Sequence, residues 1–229
     1  MALVRPNDEF SPGSYGTPPL PVLEAVHEIE KEIESNPDLF MRVKLKGRLD
    51  AVRHRLARFI GAGNDEVVFV QNTTTGINTV LQNFKWTDDD ILVGCKYPWL
   101  HLCHGLTYSV TTTYGAISNT LRYHTEKDPH PKLSIVNLTF PSTPQAVVQQ
   151  FKDHLESLPK SPGHKIVAVI DSITSVPGMA LPWEEMTRIA RGMGIWTLID
   201  GAHTAGQLPL DVKKADPDFL VLVSHKLHV

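Results

Sequence analysis

The chain reads as an α/β fold: a mostly parallel sheet of the seven-stranded type with helices on both faces. Two observations predict it. Nearly uninterrupted β-branched runs alternate with amphipathic stretches along most of the sequence, and continuous apolar strands mark a parallel sheet buried on both sides. Polar clusters also recur just past those runs, where open α/β sheets gather their ligands.

Residues 1–21, rich in Pro and Gly (Ser11-Pro-Gly-Ser-Tyr-Gly-Thr-Pro-Pro-Leu-Pro21), read as an extended N-terminal arm. Residues 22–229 then form one large domain. Leu23, Val26, Ile29 and Ile33 recur at helical spacing until Asn36-Pro37 ends the helix. A second amphipathic helix over Leu45–Ile60 aligns Leu49, Val52, Leu56 and Phe59, and Gly61-Ala-Gly63 stops it. Beyond it the chain alternates. Strands are expected at 67–70, 91–93, 133–136, 166–170, 196–199 and 219–223. Helices are expected at 76–84, 99–111, 145–158 and 183–193. No internal repeat or low-complexity tract interrupts this order.

Composition removes several classes of function. A content of 41% hydrophobic and 21% charged residues is that of an ordinary soluble globular protein. With 22 basic against 25 acidic residues the net charge is −3, and no basic stripe points to nucleic acid. No apolar run approaches the ~20 residues of a membrane helix, and Met1–Phe10 has no secretory core. Two cysteines, Cys95 and Cys103, support no disulfide framework, so a reducing cytoplasm is the expected location. The Asn-x-Thr sequences at Asn72 and Asn137 then read as chance matches.

Four polar clusters follow strands: Gln71–Thr75, Asp171, Asp200 and Ser224. Asn72-Thr-Thr-Thr-Gly-Ile-Asn78 opens a helix directly after an apolar run, and a helix N-terminus favours a phosphate. Thr and Asn are also ordinary N-caps, so the motif alone leaves both readings open. Asp200 ends a buried run, where an unpaired carboxylate costs several kcal/mol. Gly201 and Ala202 after it leave room for a flat ring to approach. Helix capping is the alternative. Lys226 ends the next Val-rich run, where a lysine is rare unless its charge is neutralised or consumed; a snorkelling terminal side chain is the alternative. An acid at one strand end and an amine at the next is the layout of a pyridoxal phosphate (PLP) enzyme. The acid keeps the pyridine nitrogen protonated and the amine forms a Schiff base. Asp200, His203 and His225 also invite a metal-dependent hydrolase, although zinc sites show tighter signatures and no metal is assigned.

With Thr73-Thr74-x-Gly-x-Asn78, Asp171-x-x-x-Ser175-x-Pro-Gly178, Asp200-Gly-Ala-His203 and Ser224-His225-Lys226 in this order, the chain resembles the class V PLP-dependent aminotransferases. Within them it is similar to isopenicillin-N-epimerase-like proteins and fungal cysteine-derivative C–S lyases. The ordered set is specific, whereas each motif alone is weak, and the likeness runs from Gly13-Ser-Tyr15-Gly16 to Lys226. The resemblance implies the large domain of the type I PLP-dependent transferase fold and an amino-acid substrate handled as an external aldimine. Transamination, epimerisation or C–S β-elimination, in secondary or sulfur metabolism, would follow.

The same resemblance assigns roles. Lys226 would form the Schiff base and shuttle protons, and Asp200 would pair with the pyridine nitrogen. His203 would approach the phenolic oxygen. Thr73, Thr74, Ser224 and His225 would surround the phosphate. Ser175 would stand near substrate and ring oxygen, with Asp171 on the same strand end. Tyr97 is the candidate for stacking on the ring, with Trp99 and His101 competing and a core aromatic as the alternative. Arg42 and Tyr15 are the substrate-side candidates, Arg42 equally readable as a solvated helix charge. Two departures stand out. Ser11-Pro12 occupies the place where relatives carry Asn-His. The family also continues beyond its lysine into a small C-terminal domain, so the chain is expected to be incomplete at that end, with exposed apolar surface and poor solubility. A homodimer is expected of the completed fold, and a truncated non-catalytic paralogue is the alternative to an enzyme.

Overall fold

The computed structural model describes residues 18–96, 99–103, 106–110, 113–159 and 163–223. Tyr15, Tyr97, Ser224, His225 and Lys226 lie outside them, and of Trp99 and His101 only the backbone is described. The described residues divide into two compact units. One takes those up to Phe69 together with Gly206–Lys213; the other takes Val70–Ala205 and Lys214–Val223.

The first unit is helical. Helix α1 (Leu20–Ser35) starts with Pro21 in its first turn and ends before Asn36-Pro37, as the sequence predicts. A short turn, Pro37–Leu39, leads into a π-helical segment, Phe40–Lys44, and then into α2 (Leu45–Ile60). Gly61, in the left-handed region at φ 71°, closes α2. Glu32 of α1 ties these pieces together, accepting from Lys44 at 2.8 Å and Arg48 at 2.5 Å. The amphipathic faces are not buried, however: Val26, Ile29, Leu49, Val52 and Phe59 are all exposed. An apolar stripe forecasts burial only where something packs on it, and no described element covers these positions.

The second unit holds a five-stranded, fully parallel sheet in the order β4-β1-β5-β6-β7. The strands are β1 (Ile91–Lys96), β4 (Lys132–Asn137), β5 (Ile166–Asp171), β6 (Trp196–Gly201) and β7 (Phe219–Leu222). Helices α3 (Thr73–Asn83), α4 (Gly115–Glu126), α5 (Pro144–Ser157) and α6 (Trp183–Gly192) connect them, and α7 (Val212–Ala215) is a single turn. On one face, Ile77 and Leu81 of α3 and Ile117 and Leu121 of α4 bury against Leu92, Val167, Val169, Leu198 and Val221. Helix α5 packs on β4, and α6 packs on β5 and β6 with Met186 and Ala190 fully buried. Each such large apolar side chain contributes about 1.5–3 kcal/mol of burial.

Two expectations fail. The predicted helix over 99–111 is instead an antiparallel hairpin, β2 (Trp99–Cys103) with β3 (Leu106–Val110), registered so that His101 faces Tyr108. Its aromatic and β-branched residues suit a pleated surface better than a helix. The predicted strand over 67–70 makes no ladder among the described residues: Val68, Phe69 and Val70 have no regular structure and are exposed, and β propensity without a neighbouring strand forms no sheet. Helix α4 replaces what the sequence reading left unassigned.

Candidate functional site at the C-terminal edge of the sheet

Strand alternation places the two acids of the site. Val167, Val169 and Asp171 share one row of β5, Leu198 and Asp200 one row of β6, and both rows face α3 and α4. Asp171 and Asp200 are direct cross-strand partners, with Val221 of β7 next in line. After β1 the chain places β4 on one side and β5 on the other, so the strand order reverses between β1 and β5. The crevice outside such a reversal is where open α/β sheets bind ligands. Asp171 stands at its lip.

Both acids are buried, Asp171 at 2% and Asp200 at 5% exposure. Burial first, and then the neighbouring charge of Asp200, pushes the Asp171 carboxyl up to about 8. The Thr113 hydroxyl works against that rise from 2.8 Å and also lies 3.1 Å from the Cys95 carbonyl. Burial, with Asp171 adding to it, raises the Cys95 thiol as well, so this cysteine is an inert core side chain. Asp200 takes a different partner: its Oδ1 accepts the Ala202 amide at 3.0 Å. The strand end behind it is clasped by Ser172, whose amide and hydroxyl both donate to the Asp200 carbonyl at 3.0 Å. Ser172 Oγ also meets Thr204 Oγ1, and both side chains are fully buried.

Helix α3 brings its capped N-terminus, a candidate anion site, to the same edge. Asn72 caps it, accepting the Thr75 amide at 2.8 Å. Thr73 follows at 7% exposure, and its Oγ1 is a buried hydroxyl with no hydrogen-bond partner among the described residues. A buried, unpaired hydroxyl is costly, and helix geometry gives the first-turn amides no internal acceptor either. The helix reaches this position because residue 76 is glycine. A Cβ there would stand 2.6 Å from Val221 Cγ1, and Val221 is the register partner of Asp200. The first turn of α3 therefore lies at the level of the acids.

Gly201 has a different purpose from the one its sequence suggests. A Cβ there would meet Leu222 Cδ2 at 2.5 Å and Leu220 Cδ1 at 2.9 Å. The space beside it is filled by β7, so Gly201 serves strand packing rather than the approach of a ring. His203 is half-buried in the turn after β6, and Thr74 is half-buried in the first turn of α3. Ser175 is half-buried in the loop after β5. Thr174 pins that loop, its amide donating to the Met179 carbonyl at 2.9 Å and its Oγ1 accepting the Met179 amide at 3.1 Å. Arg42, in the first unit, is exposed and pairs with Asp38 at 3.0 Å, an i,i+4 surface contact. His225 lies outside the described residues, and with it the third member of the metal set considered with Asp200 and His203. Sequence reasoning missed Thr113, Ser172 and Thr204, all of them buried hydroxyls. Only Ser172, directly after Asp171, carries a positional signal; Thr113 falls two residues past the helix expected over 99–111, where the sequence predicts no element.

A buried carboxylate, an orphan hydroxyl and a capped helix N-terminus on one edge suit a ligand with a cationic ring nitrogen and a phosphate. Known proteins agree with that chemistry. Residues 16–229 match the family described as Aminotransferase class-V. An L-cysteine desulfhydrase-like protein of Epichloe uncinata is 32% identical over 213 residues, 93% of this chain and 43% of that protein. The hercynylcysteine sulfoxide lyase of Schizosaccharomyces pombe is 28% identical over 218 residues, 93% of this chain and 49% of its own length. The chain thus spans less than half the length of these relatives. Among solved structures, a mutant of C-DES with glycine covalently linked to its PLP cofactor superimposes with a TM-score of 0.72 at 17% identity, over 94% of this chain and 52% of that one. That likeness establishes the fold.

Proposed function

The chain belongs to the class-V aminotransferase family, and from that premise we propose that it forms the PLP-binding part of an enzyme that cleaves the C–S bond of a cysteine derivative. The observation that carries the reading is the C-terminal edge itself. Asp200 ends β6 there, and the first turn of α3, with the buried Thr73 hydroxyl, packs through Gly76 on Val221, the register partner of Asp200. The C–S branch is preferred over transamination and epimerisation because the similar proteins are a cysteine desulfhydrase-like protein and a sulfoxide lyase.

In this reading Thr73 Oγ1 and the first-turn amides of α3 hold the phosphate, with Thr74, Ser224 and His225 around it. Asp200 keeps a proton on the pyridine nitrogen, and the Ala202 amide and the Ser172–Thr204 clasp keep Asp200 in place. Lys226 Nζ anchors the cofactor, then removes the proton from the substrate Cα. PLP, when bound, supplies the sink for the electron pair left behind. Sulfur leaves from Cβ as thiolate or sulfenate. His203 and Ser175 would serve the ring oxygen and the substrate, Tyr97 would serve the ring face, and Arg42 and Tyr15 would be the substrate-side residues. A cytoplasmic homodimer is the form proposed for the full-length protein.

Borohydride reduction of the chain incubated with PLP, followed by peptide mapping, tests this directly. The expected result is a pyridoxyl group on Lys226 that is lost in Lys226→Ala. Label persisting in Lys226→Ala, or absent from the unmodified chain, would reject the cofactor assignment. Release of sulfide from cysteine, or of sulfenate from cysteine sulfoxides, then separates C–S cleavage from transamination, which would yield the keto acid with its sulfur retained.

A further inference from the structure

The pairing of Asp171 with Asp200 leaves one group to explain. Neighbouring carboxyls at the ends of adjacent strands do not both carry charge in a buried setting. The hydrogen bonds differ between them. Asp200 Oδ1 accepts a backbone amide, which needs a lone pair and favours the carboxylate. Asp171 Oδ2 meets a hydroxyl, Thr113 Oγ1, which can donate or accept. Thr113 Oγ1 also lies 3.1 Å from the Cys95 carbonyl, which can only accept. The Thr113 hydroxyl has a single proton. It serves both neighbours at once only if it donates to Cys95 O and accepts from Asp171.

We propose that Asp171 is held as a neutral carboxylic acid at neutral pH, donating through Thr113 to the Cys95 carbonyl, so that Asp200 keeps the single negative charge at this edge. The proton chain runs from Asp171 Oδ2–H to Thr113 Oγ1 and from Thr113 Oγ1–H to Cys95 O, binding β5 to β1 across the crevice where the strand order reverses. Burial of Asp171 agrees with this, as does the upward displacement of its carboxyl beside Asp200. Among the described residues, the ionisable ones at this end of the neighbouring strands are Asp200 of β6 and Cys95 and Lys96 of β1, and burial keeps the Cys95 thiol neutral. Helix α3 carries none, and those of α4 (Arg122, Tyr123, His124 and Glu126) stand in its last turns. His203 is the ionisable residue of the turn after β6.

Asp171 is then a positioning residue: it fixes which of two like groups is charged. Its value to the cofactor rests on Asp200 holding the pyridine nitrogen, but its protonation does not, and the two can be tested apart. Infrared spectra of the cofactor-free chain at neutral pH should show a protonated carboxyl C=O band that Asp171→Asn removes. Asparagine keeps the shape and the donor to Thr113, so this variant should fold, whereas Asp171→Leu loses the donor. A second readout is the pH dependence of unfolding. A folded state that keeps a proton the unfolded chain releases loses stability as pH rises. Between about pH 5 and 7 the folding equilibrium constant should fall about tenfold more per pH unit in the unmodified chain than in Asp171→Asn. His124 and His154, which burial holds below their ordinary values, titrate in both proteins and cancel in the difference. Absence of the band from the unmodified chain, or equal pH slopes in the two proteins, would overturn the proposal. A chain that shows the band but binds no PLP would uphold the proton assignment and remove the cofactor reading alone.

Discussion

At the N-terminal end of the parallel strands, the two most enclosed acids each have a cationic partner, Asp90 with Lys165 and Asp218 with Arg191. Asp90 is fully buried, yet it pairs with Lys165 at 2.8 Å and accepts the Lys165 amide at 2.7 Å and the Thr87 amide at 2.8 Å. Burial works to raise its carboxyl, but these bonds together hold it below the usual carboxylate range. Asp218 likewise accepts the amide and hydroxyl of Thr197, at 2.8 and 2.9 Å, and meets Arg191 at 3.2 Å. Phe84, Trp196 and Phe219 pack together at this end of α3, β6 and β7. At the C-terminal end of the same strands, two acids stand side by side, and the buried Thr73 hydroxyl has no partner among the described residues. One end sets its buried carboxylates against cations; the other sets two carboxyls against each other. In the proposed reading, the contrast separates residues that hold the fold from residues that hold a ligand.

Three substitutions sharpen that contrast. Asp90→Ala carries the largest expected cost, roughly 3 kcal/mol, because it leaves the partly buried Lys165 charge without its partner. Denaturant midpoints measure it. The lowered Asp90 carboxyl makes its contribution complete above about pH 5, and it is lost as pH falls through the folded value, below about 4. The variant should therefore be less acid-sensitive than the unmodified chain. Asp200→Asn, at the other end, is expected to cost little stability, since an asparagine Oδ1 still accepts the Ala202 amide. Instead it should weaken PLP binding by about 2 kcal/mol, the size of a hydrogen bond to a charged group, as read by absorbance titration. Thr73→Val has the smallest effect. Removing the orphan hydroxyl should stabilise the cofactor-free chain by up to about 1 kcal/mol while lowering its affinity for PLP. If Thr73→Val destabilised the chain, that hydroxyl would have a structural partner and the contrast would blur.

Much of this edge was legible in the sequence because parallel strands announce themselves as apolar runs with polar residues just beyond. Ile166–Asp171 and Trp196–Gly201 lie where their β-branched patterns put them, and the acids follow from those ends. The cap at Asn72 was equally readable. The hairpin at 99–110 was not, since a short apolar run with mixed spacing fits either a helix or a strand. Nor was Thr113, whose link to Asp171 joins positions 58 residues apart in sequence. Gly201 illustrates a different limit. Its small size was visible, but what fills the space beside it depends on β7, which only the assembled sheet reveals. The exposed stripes of α1 and α2 show the same thing from the other side. Periodicity names a face without naming what covers it.

A crystal structure of the chain grown with PLP tests the central claim most directly. The account predicts phosphate oxygens within hydrogen-bond distance of Thr73 Oγ1 and the first-turn amides of α3, with the ring nitrogen against Asp200 on the β6 edge. A cofactor bound elsewhere, with the Thr73 hydroxyl still unpartnered and Asp200 facing no ring, would contradict it.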